Sequence, residues 1–258
     1  SRTSKGMNIV NLLPLENGET ISSMNCGRGD DYKYLCMFTR NGIIKRSAVT
    51  EYANIRRTGV IAITLDEGDE LAWVKMTKGN DDIIVATKKG MSIRFNENDA
   101  RPIGRTARGV KAIELAEGDE VIGVATVEEG KSILTVSETG FGRISDFDNY
   151  RIQSRGGKGL INYHTEKNGD VAAVTSVSDD NDIILISSDG IIIRIPADGI
   201  SKFARPSKGV RVMRVSEGEK IVTLTPVEKD EEEAPAEETA EGEATQAVEN
   251  NETENNPE

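Results

Sequence analysis

Four glycines stand 50 residues apart along this chain: Gly59, Gly109, Gly159 and Gly209. Gly6 precedes the series by a step of 53. Behind each comes an apolar alternation, an acidic turn and a second apolar run; ahead of each lies a basic loop. A fixed period of this length marks one supersecondary unit repeated around an axis or along a stack.

The second unit shows the pattern. Val60–Leu65 is β-branched and apolar, Asp66-Glu67-Gly68-Asp69-Glu70 is a turn, and Leu71–Met76 is a second apolar run. Asp82–Thr87 follows a polar loop, and the turn Lys88-Lys89-Gly90 leads into Met91–Phe95. This predicts four short strands with turn residues between them, then an irregular stretch over 96–108. The fifth unit keeps only its opening hairpin, around Glu217-Gly218-Glu219. No window holds a sustained helical spacing. Units of four short strands predict an all-β, propeller-like ring, because radial repetition leaves few open sheet edges. The final half-unit predicts that neighbouring repeats complete one another's sheets. Aromatic residues make up only 4% of the chain, so the core between blades is expected to be Ile, Val, Leu and Ala.

The net charge of −12 belongs to one segment. Residues 228–258 hold thirteen acidic residues and a single base, Lys229, which leaves 31 basic and 31 acidic residues in 1–227. We therefore separate a neutral repeat body, 1–227, from an acidic tail, 228–258, whose composition predicts disorder. Cys26 and Cys36 fit neither a disulfide framework nor a zinc pattern and are expected to be reduced thiols. There is no apolar run of membrane-spanning length and no signal peptide. The start, Ser1-Arg2-Thr3, lies inside a basic loop, so a truncated first blade of a longer chain is expected.

Within the body the charge is sorted. The loops ahead of Gly6, Gly109, Gly159 and Gly209 carry Arg2 and Lys5, Arg105 and Arg108, Arg155 and Lys158, and Arg205 and Lys208. Each has Arg four residues before the glycine and a base one residue before it. The loop ahead of Gly59 departs, with Arg56-Arg57. Further bases, Lys45-Arg46, Arg94, Arg143 and Arg194, follow the tight turns. Surface bases are ordinarily just solvated. Recurrence at a fixed offset, among small residues that let a backbone approach a phosphate, favours anion or nucleic-acid binding. A row of such loops around a rim suits a polyanion that curves around the body. Bending 20–30 bp costs on the order of 1–6 kcal/mol. Contacts to roughly eight phosphates would give a salt slope of about −7, enough to offset that bend.

No catalytic or metal-binding constellation is visible. His164 is the only histidine and is expected in a strand. The Glu-Gly-Asp-Glu turns lack calcium-loop spacing, Lys88-Lys89-Gly90 is no P-loop, and the tyrosines have no activating partners in sequence.

The run Ile9-Val10-Asn11-Leu12-Leu13-Pro14-Leu15-Glu16, the Gly-Asp-Glu turns and the Gly-anchored basic loops together resemble the C-terminal domain of bacterial DNA gyrase A. The resemblance covers residues 1 to about 227. It implies a six-bladed β-pinwheel that wraps double-stranded DNA around a positively charged perimeter, with little regard to sequence. That wrapping supports ATP-dependent negative supercoiling by the whole type II topoisomerase, with the rest of gyrase A and with gyrase B, in the bacterial cytoplasm. The family's catalytic tyrosine, metal site and ATP lie in other domains, so this chain is expected to be non-catalytic and to hold no cofactor. By this resemblance the family's signature box is expected ahead of Ser1. A near match, Gln153-Ser154-Arg155-Gly156-Gly157-Lys158-Gly159, has Ser154 in place of a base, and its three glycines make it the best candidate for close phosphate approach. Alternative readings are the corresponding topoisomerase IV domain, or a protein-interaction propeller that binds an acidic partner. The tail could act as a polyanion competing with DNA for the rim. Removing 228–258 is then expected to raise DNA affinity at low salt, and unchanged affinity across a salt series would contradict it.

Overall fold

The structure, a computed structural model, describes residues 6–7, 11, 13–16, 18–25, 31–56, 58–128 and 131–229. Arg2, Lys5, Cys26, Arg57 and the tail from 230 onward lie outside the described residues.

Four antiparallel sheets are built on four hairpins, and each hairpin turns on a tight Gly-containing bend. The first hairpin joins β1 (Tyr34–Thr39) to β2 (Ile43–Ala48). On its inner side β1 pairs with β3 (Leu71–Thr77), and on its outer side β2 pairs with the two-residue β6 (Val110–Lys111). The second sheet has hairpin β4 (Asp82–Thr87) and β5 (Met91–Asn96), inner strand β7 (Val121–Thr126) and outer strand β10 (Leu160–Ile161). The third has β8 (Ser132–Ser137), β9 (Phe141–Ser145), β11 (Val171–Val177) and β14 (Val210–Arg211). The fourth has three strands, β12 (Asn181–Ser187), β13 (Ile192–Pro196) and β15 (Ile221–Glu228). Each hairpin thus takes its inner strand from the next unit and, where it has one, its outer strand from the unit after that. The sharing expected from the terminal half-unit holds, and it staples successive repeats together.

The expected strand Val60–Leu65 is not formed. Its counterparts shrink to the two-residue β6, β10 and β14 for a geometric reason. Only the upper half of each outer edge is open to them. The lower half is taken by the stretch expected to be irregular, which runs back alongside: Ile103 N–H donates to Arg46 O (2.9 Å), Gln153 N–H to Arg94 O (2.8 Å) and Phe203 N–H to Ile144 O (2.8 Å). This loop covers the edge that would otherwise be an open pairing template. His164 lies not in a strand but just ahead of the four-residue helix α1 (Thr165–Asn168).

The inner strands pack side by side, β3 on β7, β7 on β11 and β11 on β15. They line an axial cavity of about 450 Å³ that includes Trp73, Val124, Val174 and Leu224. Ile44, Ile83, Val85 and Ile93 fill the core between the first two sheets, and Leu134, Ile144, Ile183 and Leu185 that between the last two. The aliphatic core was expected, but the few aromatics are also concentrated there: Phe38, Phe95, Tyr150 and Tyr163 are buried between blades.

The recurring glycines mark close contacts between units. At Gly159, φ is +77° and a Cβ would stand 2.2 Å from Ser92 O; at Gly209, φ is +78° and a Cβ would stand 2.1 Å from Gly142 O. Only a residue without a side chain fits a left-handed conformation pressed on a neighbouring backbone. The acidic turns have a local task too. Asp69 Oδ1 accepts Asn41 N–H (3.0 Å) and Asp119 Oδ1 accepts Lys89 N–H (2.9 Å), while Glu70 and Glu120 pair with Arg40 (2.6 Å) and Lys88 (3.1 Å). Both acidic turns therefore clasp the tight turn of the preceding hairpin.

Candidate nucleic-acid interface

The Gly-anchored loops feed the outer strands and so run along the perimeter, away from the axis. The base one residue before each anchor, Arg108, Lys158 and Lys208, is exposed there. Lys208 Nζ lies 3.6 Å from the Phe141 ring centroid, and Arg211 covers the same ring at 4.6 Å. Arg108 forms a forked ion pair with Asp66, which holds that carboxyl below its usual range.

The arginine four residues before the anchor does something else. Arg155 Nε donates to Asp99 O (2.9 Å) and its Nη1 to Lys111 O (2.9 Å). Arg205 repeats both bonds one unit later, to Asn149 O (2.6 Å) and Ile161 O (3.1 Å). These arginines clamp each loop to the preceding one, so stability does supply a reason for their fixed offset. Arg105, half-buried, makes no such pair among the described residues. The three glycines of the near-match box serve the same packing. Gly156 N–H donates to Ala112 O (2.6 Å), Gly157 O accepts Glu114 N–H (2.9 Å), and Gly159 abuts Ser92. Gln153 bonds to the neighbouring edge through its backbone and is not a free side chain at the surface.

The bases after the tight turns require correction. Lys45, Arg46 and Arg143 are 0%, 2% and 0% exposed, so none of them faces a ligand outside. They also do not form one set. Lys45 and Arg143 stand three residues past the tight-turn glycine, and Arg46, Arg94 and Arg194 stand four past it, so they project to opposite faces of their strands. Lys45 Nζ donates to Ala62 O (2.6 Å) and Ser47 Oγ (2.7 Å). Arg143 Nη2 donates to Asn162 Oδ1 (3.0 Å), which also accepts Tyr150 O–H (2.7 Å). Arg94 grips Asp82 through Nε (3.0 Å) and Nη2 (2.9 Å), and Arg194 Nε donates to Asp182 (2.7 Å). In the third blade Ile144 replaces this arginine and Ser132 replaces its carboxylate. In the first blade Tyr34 stands where the carboxylate would be and lies under Arg46, so the base at this position has an internal partner in each blade that carries it.

Five exposed bases on the same perimeter were missed: Arg101, Lys111, Arg151, Lys202 and Arg211. Two recurrences signal four of them in the sequence. Arg101 and Arg151 stand eight residues before their anchors, and Lys111 and Arg211 stand two after. Arg56 is exposed as well. Among the described residues no cluster of His, Cys, Asp and Glu could hold a metal ion.

Burial pulls the Lys45 ammonium down from 10.5 to about 8 and pushes the Cys36 thiol up from 9.0 to about 12. A depressed lysine means that the unfolded chain binds more protons between about pH 8 and 10.5, so stability rises with pH across that window. Cys36 has the opposite sign from pH 9 upward, because the folded state keeps its proton. The thermal midpoint is therefore expected to rise from pH 7.5 to 9 and then level off. Lys45→Met should flatten the rise in a melting series, and an unaltered rise in that variant would show that another group causes it.

The DNA gyrase C-terminal domain, beta-propeller, family matches this chain over residues 33–78, 81–128, 131–178 and 181–228. Each match starts just before or within the first strand of a hairpin and ends at or just past the inner strand that completes it. The DNA gyrase A protein of Clostridium acetobutylicum is 48% identical over 252 residues, 97% of this chain and 30% of that protein. Its counterpart in Halalkalibacterium halodurans is 49% identical over 244 residues, 94% of this chain and 29% of that protein. The chain thus spans about three tenths of the length of these relatives. Among solved structures, a DNA gyrase A C-terminal domain superposes with TM-score 0.75 at 28% identity, over 87% of this chain and 76% of that one. The C-terminal domain of a DNA topoisomerase IV superposes with TM-score 0.78 at 23% identity, over 86% and 71%, and shares the fold.

Proposed function

The chain belongs to the DNA gyrase C-terminal domain, β-propeller, family, and we propose that it binds duplex DNA along the basic outer edges of successive blades and wraps it. One observation carries this reading. Three consecutive loops present Arg101, Arg108 and Lys111, then Arg151 and Lys158, then Lys202, Lys208 and Arg211, all exposed on the perimeter. The acidic turns are engaged with the tight turns, and among the described residues only Arg108 of these bases is paired with one of them, through Asp66. Phosphates are the natural ligand of a periodic row of bases without a base-reading helix or ribbon, so recognition should be nearly independent of sequence.

In the whole protein the wrap would serve ATP-dependent negative supercoiling together with the rest of gyrase A and with gyrase B. The bond-breaking groups, Mg and ATP would sit on those other parts, and we assign this chain no catalysis and no cofactor. The bacterial cytoplasm is its proposed place; no helix among the described residues is long and apolar enough to cross a membrane.

A gel shift with linear duplexes over a salt series tests the proposal. Binding that weakens steeply with salt and favours longer duplexes is expected, together with a shift in linking number when a nicking-closing enzyme acts on bound plasmid. No binding at low salt would overturn the proposal in favour of an acidic protein partner.

A further inference from the structure

Three perimeter loops carry a base one residue before the anchor, and only one of these bases is held by an acid. Among the described residues Lys158 and Lys208 make no ion pair. Arg108 donates from Nε to one carboxylate oxygen of Asp66 and from Nη2 to the other, although their side chains are 56% and 41% exposed. Exposed pairs contribute little to stability, so the fold does not depend on this one.

The pair is nevertheless built into the repeat. Thr64 fastens the acidic turn to the loop: its N–H donates to Ala107 O (3.2 Å) and its Oγ1 to Thr106 O (2.7 Å). The next unit repeats the backbone bond, from Glu114 N–H to Gly157 O (2.9 Å), so the placement of the turn beside the loop belongs to the repeat. There, however, Ala116 stands at the position of Asp66 and Lys158 at that of Arg108. One unit further, Glu166 stands at the Asp66 position but lies in α1 and makes no ion pair among the described residues, while Lys208 lies on the Phe141 ring.

The turn itself has no need of the Asp66 carboxylate. Asp66 enters it through its carbonyl, which accepts Asp69 N–H (3.1 Å), and Asp69 and Glu70 make the clasp on the preceding hairpin. What the carboxylate does is fill the forked edge of a guanidinium on the perimeter. Carboxylate and phosphate present the same pair of acceptor oxygens to that fork.

We propose that Asp66 is an internal competitor of DNA phosphate at Arg108, and so sets how strongly this stretch of the rim grips duplex. The inference rests on the DNA-binding reading above and adds to it a residue that weakens binding. A phosphate that reaches Arg108 side-on takes over the edge that Asp66 holds and leaves the turn in place.

Binding of a linear duplex to the 258-residue chain over a salt series tests this. Asp66→Asn should tighten binding about eightfold at about 0.1 M salt and steepen the salt slope by about 0.9, the gain of one phosphate contact. Glu67→Gln removes the adjacent exposed carboxylate, which makes no ion pair among the described residues. It should change affinity less than about twofold, because salt screens a charge that makes no contact. Placed on Arg108→Ala, Asp66→Asn should add no more than Glu67→Gln does. Melting curves should match those of the respective parents, which separates the effect from a change in folding. An unchanged slope in Asp66→Asn, an equal gain from Glu67→Gln, or a full gain in the absence of Arg108 would overturn the proposal and leave DNA binding standing. A parent chain that binds no duplex at low salt would overturn the DNA-binding reading and this inference with it.

Discussion

Alanine at Lys111, Lys158, Lys208 and Arg211 together is expected to weaken duplex binding roughly 10³–10⁴-fold at about 0.1 M salt, and to flatten the salt slope by about 3.6. The magnitude follows from counterion release, with each phosphate contact contributing about 0.9 to the slope. All four side chains are exposed on the outer edge. Arg108 is left out because Asp66 already neutralises it. Lys208 and Arg211 both lie against the Phe141 ring, which holds two positive charges at one place on the rim. The loss should be the same for unrelated duplex sequences, since nothing in these loops is arranged to read base edges. Thermal midpoints should stay close to the parent, because exposed bases contribute little to stability. A slope that does not change would place the DNA elsewhere on the molecule.

The arrangement of these residues shows what the sequence could and could not disclose. Spacing alone located the hairpins, because alternation and turn glycines are local signals. It also exposed the sharing of strands, since the last unit stops after its inner strand. Side-chain destination is different, because it depends on what arrives from 50 or 100 residues away. Arg46 and Arg143 look like surface bases on short strands, but Glu97 and Asn162 come from the following units to receive them. The clamp arginines mislead for the same reason. Arg155 and Arg205 recur at one offset because the carbonyls they hold recur at one offset, 56 and 44 residues back. Recurrence in a repeat protein reports a shared task, and joining one repeat to the next is a task every repeat has. The bases left over from joining, which no neighbouring repeat receives, are the ones free to meet a ligand.

Arg46→Ala should lower stability by about 3–5 kcal/mol, the usual result of leaving one member of a buried ion pair alone. For a domain of this size that is a fall of roughly 6–20 °C in thermal midpoint. Arg46 Nε lies 2.8 Å from Glu97 Oε2, with side chains 2% and 0% exposed. The contact is an ion pair by distance, although Nε is not aligned as a hydrogen-bond donor. The guanidinium also donates to Asn98 Oδ1 (2.9 Å) and stacks on Tyr34 at 3.7 Å, so it links the first hairpin to the end of the second. Glu97 is the centre of that link. It accepts Thr77 O–H (2.6 Å) and the backbone N–H groups of Gly79 (2.7 Å) and Asp81 (2.9 Å). Those three donors keep Glu97 partly satisfied when Arg46 is gone, which places the expected loss toward the lower end of the range. Arg46→Lys should recover little, because a compact ammonium cannot both stack on the ring and reach acceptors on two sides. The salt slope of DNA binding by the folded variant should match the parent. Since Arg46 is sealed between blades, a reduced slope with an unchanged melting curve would mean that it reaches phosphate after all.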